Sequence, residues 1–107
     1  MDHFIPWSKY SVDLAHNFVL AHSSCNGEKS NYLPALPHLS QWMRRNVENI
    51  STLEQAFDRQ GLVHNLNASV HVARWAYEQA ELSGASLWSS KKTFCNLEPG
   101  WRELIAI

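Results

Sequence analysis

Three short blocks in the first 34 residues decide how this chain is interpreted: DHFIP at residues 2–6, HNFVL at residues 16–20 and CNGEKS at residues 25–30. The first block mixes bulky residues with a proline, which is typical of a short strand end that enters a loop. The second is a compact apolar run suited to a buried strand. The third follows two serines that can cap a short helix over residues 25–32. The blocks therefore predict two strands and a helix, in that order.

Polar side chains at the edges of these blocks are typical of metal-assisted hydrolysis. Asp2 and His3 are adjacent in the first block. Asn17 begins the apolar strand, and Asn26 lies in the first turn of the predicted helix, which would bring it back towards the same point. Carboxylate and amide oxygens suit a hard divalent ion such as Mg²⁺. A neutral imidazole beside that ion can accept a proton from an attacking water, so these residue types would support phosphodiester hydrolysis.

The same blocks resemble the pattern of the HNH nucleases. That pattern consists of an Asp-His-x-x-Pro loop, an Asn that leads a hydrophobic strand, and a Cys-Asn-x-x-Lys helix. The order and the spacing of the blocks both agree with it, and the spacing is similar to that of the HNH domain in RNA-guided CRISPR nucleases. Because three separate blocks agree, the resemblance is specific, although it covers only about the first third of the chain. It implies a ββα-metal motif and a divalent-metal-dependent endonuclease that cleaves DNA.

The resemblance also implies a role for each matching residue. His3 would be the general base of the catalytic site. Asn17, the second residue of that site, would hold the loop that presents His3. Asp2 and Asn26 would be the metal ligands, and Lys29 would contact a substrate phosphate.

Other positions depart from the HNH pattern and narrow the expected metal content. Some relatives have a further histidine ligand where this chain has Ser30, so we expect water to complete the shell of one Mg²⁺ or Mn²⁺ ion. Many relatives also carry a structural zinc knuckle, and His22 with Cys25 forms a candidate zinc half-site at the corresponding place. A structural zinc site normally needs four ligands, so we expect no structural Zn²⁺ in this chain alone.

The first strand of the ββα-metal hairpin would normally precede and include Asp2, and almost all of it is missing from this sequence. We therefore expect residues 1–34 to form a truncated HNH motif. The chain could be a fragment or a shortened reading frame, or a protein partner or a second copy of the chain could complete the missing strand. Residues 35–107 are expected to form a helical extension that packs on the motif within a single compact domain.

Helical periodicity dominates this extension. Apolar residues recur at helical spacing within residues 38–50, namely Leu39, Trp42, Met43 and Val47. The sequence STLE at residues 51–54 resembles a capping box, which predicts a helix over residues 52–60 that ends at Gly61. A stronger helix begins after Asn67 and ends before Gly84. We expect Val72 and Trp75 to broaden the core face of this helix. The face itself consists of Val70, Ala73, Tyr77 and Ala80.

The last segment is expected to contain a small hairpin and a short helix. Residues 86–88 and 93–95 can pair across residues 89–92, and residues 99–107 can form a terminal helix. The fold class expected for the chain is therefore α+β and mostly helical. It consists of the truncated ββα-metal motif, three or four helices and the small hairpin.

Composition limits the kind of nucleic-acid contact. The net charge is −1 over 107 residues, whereas a protein that holds DNA by broad phosphate neutralisation is normally basic. Contact with DNA must then be local, assisted by the metal, or shared with a partner. The basic pair Arg44 and Arg45 could touch DNA, although such a pair on the outer face of a helix is usually only solvated. Cys25 and Cys95 lie 70 residues apart and form no disulfide framework, which fits the cytoplasm, and no apolar run is long enough for a membrane.

Two other functions remain compatible with the sequence. The chain could be a catalytically weak or inactive HNH-derived binding or regulatory protein, for example a phage or mobile-element inhibitor that acts through residues 38–107. It could also be one component of an assembly in which a second chain supplies the strand or the zinc ligands. The missing strand, the absence of net positive charge and the Trp-rich helical segment all favour these alternatives.

Overall fold

The computed structural model describes residues 2–6, 14–19, 32–90 and 92–105. In this part of the chain the protein is mostly helical, with two small antiparallel sheets, which confirms the predicted α+β class. The elements follow in the order β1 (Asp2–His3), a 3-10 helix (Ala15–Asn17), β2 (Phe18–Val19), α1 (Leu36–Glu48), α2 (Ile50–Arg59), α3 (Leu66–Ser83), β3 (Ser86–Ser90), β4 (Thr93–Asn96) and α4 (Trp101–Leu104).

The N-terminal strands form an antiparallel pair of two residues each. Asp2 lies opposite Val19, and His3 lies opposite Phe18. An isolated two-stranded ribbon is at best marginally stable in water, so a pair this short needs support from the rest of the fold. The helix predicted over residues 25–32 lies almost wholly outside the described residues.

Helix α1 begins two residues earlier than its apolar pattern predicts. Pro37 lies in its first turn, where the missing N–H costs nothing and the fixed φ suits a helix. Leu39 and Trp42 are buried as expected, but Val47 is 63% exposed, so the predicted apolar stripe stops short of the last turn. The single residue Asn49 then separates α1 from α2.

The predicted capping box at the start of α2 is wrong. The helix begins at Ile50 rather than Thr52, its N-cap is Asn49, and no side chain makes a cap hydrogen bond. Because α2 follows α1 after one residue, its first turn has already formed at Ser51, which leaves no extended residue there to act as a cap.

Helix α3 supplies much of the core. Its predicted face is confirmed, because Val70, Ala73, Tyr77 and Ala80 are all buried. Trp75 does not broaden this face as predicted, since 47% of it is exposed. The helix is capped at its start by Asn65, whose side chain accepts a hydrogen bond from the N–H of Ala68, and it ends at Gly84 with φ of 68°.

The hairpin β3–β4 is confirmed, with Leu87 opposite Cys95. The chain that leaves the N-terminal third runs beside β3. There the N–H of Trp88 donates to the carbonyl of Leu33 at 2.9 Å, and the N–H of Ala35 donates to the carbonyl of Trp88 at 2.8 Å. The Tyr77 hydroxyl donates to the carbonyl of Pro34 at 2.5 Å, so α3 and β3 both hold this segment. None of the described helices is long and apolar enough to cross a bilayer.

Candidate active site

His3 lies at the boundary between solvent and the core. Its side chain is partly buried. The next two residues, Phe4 and Ile5, are only 4% and 1% exposed and belong to the core cluster. The backbone that carries the imidazole is therefore anchored on its C-terminal side by two buried side chains.

Asn17 holds the main chain that follows His3. Its side-chain Oδ1 accepts a hydrogen bond from the N–H of Ile5 at 2.7 Å, and its Nδ2 donates to the carbonyl of Ile5 at 3.0 Å. Its own carbonyl accepts from the N–H of Phe4 at 2.7 Å. The amide thus satisfies both main-chain groups of a buried residue, because a carboxamide carries a donor and an acceptor at the required separation.

His16, which precedes Asn17, is fully buried. Neither ring nitrogen has a hydrogen-bond partner within the described parts of the chain. The ring meets Phe57 edge-on at 5.0 Å and lies 6.0 Å from the ring of His64. Burial lowers the pKa of His16, Glu54 partly opposes that change, and Arg45 and His64 add to it. The ring is therefore neutral near neutral pH and behaves as a core side chain.

The carbonyl of His16 accepts two hydrogen bonds from α1. Trp42 Nε1 donates at 2.8 Å, and Arg45 Nη2 donates at 2.6 Å. Phe4 stacks on the Trp42 ring with centroids 4.6 Å apart and an interplanar angle of 5°. The interpretation of Arg45 as a solvated residue is wrong, since it is partly buried, and burial lowers the pKa of its guanidinium.

The sequence analysis missed this contact between α1 and His16. The available signal was the spacing of Trp42 and Arg45, which puts both side chains on one face of a helix. Nothing local indicated that a carbonyl from the N-terminal strand pair would lie against that face.

The structure brings together His3 and Asn17, but it does not describe the rest of the predicted site. Asp2 lies in β1, where its main chain pairs with Val19 of β2. The side chain of Asp2 lies outside the described part of the structure. The other positions that the sequence analysis singled out, in the third block and just before it, also lie outside the described residues: His22, Cys25, Asn26, Lys29 and Ser30. Among the residues that are described, no three His, Cys, Asp or Glu side chains are grouped so that they could hold a metal ion.

Comparison with known protein families gives a match for the N-terminal third of the chain. Residues 1–35 match the family model described as HNH endonuclease, which confirms the resemblance over that segment. The match spans 35 of 107 residues and indicates a nuclease-like ancestry for the N-terminal third. Comparison with curated proteins and with solved structures gives no match.

Proposed function

We propose that this chain is a divalent-metal-dependent HNH endonuclease that hydrolyses DNA phosphodiester bonds, with His3 as the general base. The observation that supports it most is the pair of hydrogen bonds between the Asn17 side chain and the main chain of Ile5, two residues after His3, in a segment that matches the HNH family. A general base must stay within hydrogen-bond reach of the water that it deprotonates. Restraining the main chain beside it from the 3-10 helix that contains Asn17 serves that requirement.

The chemistry of the predicted ligands fits one Mg²⁺ or Mn²⁺ ion. Asp2 offers a carboxylate and Asn26 an amide oxygen, and both are hard ligands. Asp2 directly precedes His3 in β1, so the pairing with β2 that positions the backbone of the base also positions that of the proposed ligand. When bound, such an ion lowers the pKa of a coordinated water and stabilises charge on the phosphate.

The proposed roles of the protein groups follow from their places in the chain. The imidazole of His3 accepts the proton of the attacking water, and its side chain is partly buried at the edge of the core. Asn17 acts through the main chain of Ile5 rather than on the substrate. Lys29 contacts a substrate phosphate. The net charge of −1 means that DNA is held locally, or with help from a protein partner or a second copy of the chain.

Plasmid nicking tests the proposal. The wild-type chain should convert supercoiled DNA to the nicked form in Mg²⁺ or Mn²⁺, and a chelator should stop the reaction. His3→Ala should abolish nicking. His71→Ala is the matched control, because His71 is exposed on α3 and its Nδ1 lies 2.7 Å from the carbonyl of Asn67 in its own helix. The proposal fails if His3→Ala cuts as fast as wild type, or if the wild type cuts in neither metal.

A second candidate function, a binding protein that acts through residues 38–107, is favoured by one feature of the surface. Tyr32 and Trp75 are 44% and 47% exposed, and both line an apolar groove between α3 and the start of β3. Exposed aromatic side chains beside a groove are typical of interaction sites. In this case Trp75→Ala would abolish binding to the target, whereas His3→Ala would leave that binding unchanged. The solution mass of wild type and Trp75→Ala tests whether the target is a second copy.

A further inference from the structure

The peptide group that joins His16 to Asn17 is held at both of its polar atoms. Its carbonyl oxygen accepts the two hydrogen bonds from Trp42 and Arg45. Its N–H donates to the carbonyl of Leu14 at 2.9 Å within the 3-10 helix. A peptide group is planar, so fixing both atoms fixes the direction in which the chain enters Asn17. The Asn17 side chain, which restrains the loop after His3, therefore starts from a fixed backbone.

Helix α1 contacts the residues next to both strands of the N-terminal pair. Trp42 hydrogen-bonds to the residue before Asn17 and stacks on Phe4, the residue after His3. One side chain thus joins the two strands at the residues that flank the proposed site. Because each strand has only two residues, these contacts supply restraint that the ladder itself cannot.

Arg45 is built to act as a fixed donor. Its Nε and Nη2 donate to Oδ1 of Asn46 at 3.1 and 2.8 Å, and Asn46 is fully buried. Nη2 then also reaches the His16 carbonyl. A planar guanidinium held at two nitrogens has little freedom, so it directs its hydrogen bond more strictly than a flexible ammonium would.

We infer that Trp42 and Arg45 are positioning residues for the nuclease site, which set the place of His3 by orienting the His16 carbonyl and Phe4. The inference rests on the proposed function, in which His3 is the general base. It assigns to helix α1, outside the segment that matches the HNH family, a direct part in the geometry of that site.

Two substitutions remove the donors that bind the His16 carbonyl, and the one at Arg45 also removes its hydrogen bonds to Asn46. Arg45→Met keeps most of the apolar stem and removes the guanidinium, and Arg59→Met, at an exposed position in α2, is its control. Trp42→Phe keeps an aromatic ring to stack on Phe4 and removes the N–H, and its control is Trp88→Phe, since Nε1 of Trp88 has no hydrogen-bond partner within the described residues. Circular dichroism and thermal unfolding define the temperature at which every variant is folded, and all kinetics are measured there.

Two readouts are compared in the full chain. In nicking kinetics, Arg45→Met and Trp42→Phe should lower kcat by roughly 10- to 100-fold with little change in KM, because displacement of a catalytic group by about 1 Å can cost that much. Arg45→Lys, which restores one donor, should recover part of the rate. In NMR spectra, the ring signals of His3, assigned by their loss in His3→Ala, should shift in both variants and not in the controls.

Each result separates the inference from the function on which it rests. If wild type nicks DNA and both variants match their controls in kcat, the positioning role is overturned. A loss of kcat without any shift of the His3 signals overturns it as well, because the effect would then act elsewhere. If wild type nicks in neither metal, the proposed function fails, and the NMR shifts alone decide whether α1 positions His3.

Discussion

The contact between Asn17 and Ile5 makes a quantitative prediction about stability. Asn17→Ala removes both side-chain hydrogen bonds, at 2.7 and 3.0 Å, and leaves the main chain of a residue that is 1% exposed without those partners. At about 0.5–1.5 kcal/mol for each bond, the free energy of unfolding should fall by about 1–3 kcal/mol. The bond from the N–H of Phe4 to the carbonyl of Asn17 involves only main chain and should remain.

Asn17→Asp provides a sharper version of this test, because the side chain keeps its size. One carboxylate oxygen can still accept from the N–H of Ile5. The other replaces the donor and faces the carbonyl of Ile5 at the distance of the present hydrogen bond, so two acceptors oppose each other. We therefore expect Asn17→Asp to destabilise the fold at least as much as Asn17→Ala.

Urea denaturation followed by far-UV circular dichroism measures both effects. Asn49→Ala serves as the control, since Asn49 is exposed between α1 and α2 and its side chain makes no cap hydrogen bond. That variant should stay within about 0.5 kcal/mol of wild type. The reasoning would be refuted if Asn17→Ala were also within that range, or if Asn17→Asp were as stable as wild type.

Three further effects follow from buried or capped polar groups. Burial lowers the pKa of His16 from 6.5, so protonation favours the unfolded state and the free energy of unfolding should decrease as pH falls below about 6.5. His16→Leu should reduce this pH dependence. The prediction is contradicted if the free energy of unfolding, measured with urea between about pH 7.5 and 5.5, changes equally with pH in wild type and His16→Leu. Asn65→Ala should cost about 1 kcal/mol through loss of the α3 cap, measured against Asn67→Ala, and equal unfolding midpoints would exclude a capping role. Tyr77→Phe should lower the free energy of unfolding by about 0.5–1.5 kcal/mol, because the carbonyl of Pro34 loses the hydrogen bond from the Tyr77 hydroxyl. An unchanged thermal unfolding midpoint would contradict this.

Periodic patterns predicted the helices well because they depend on local spacing. The face of α3 that contains Val70 and Tyr77 was recognised from residues three and four apart, and burial confirms it. The errors arose where tertiary context decides. Val47 and Trp75 fit apolar patterns but are exposed, because none of the described helices and strands covers those parts of their helices. The false capping box at Ser51 came from a pattern that ignores how closely α2 follows α1.

The candidate site was predictable to the extent that it resides in short motifs. The three N-terminal blocks predicted His3 and Asn17 as site residues, and the structure shows two hydrogen bonds between the Asn17 side chain and the main chain of Ile5. The contacts of Trp42 and Arg45 with His16 span 26 and 29 residues of sequence. A single sequence carries no periodic signal for such pairs, because they depend on how α1 packs against the strand pair.

Among the described residues, much of the support for the strand pair comes from outside the segment that matches the HNH family. Within that segment, Asn17 joins the two strands, but the His16 carbonyl is bound by two side chains of α1 and the ring of Phe4 rests on Trp42. The 3-10 helix is tied further along the chain, where the N–H of Ala15 donates to the carbonyl of Val63 at 2.8 Å. Since the described residues of the strand pair are too few to hold a catalytic group in place unaided, we expect any nuclease activity to depend on the helical extension as well as on the motif. Substitutions in the extension, although remote from the motif, should therefore alter the rate of catalysis.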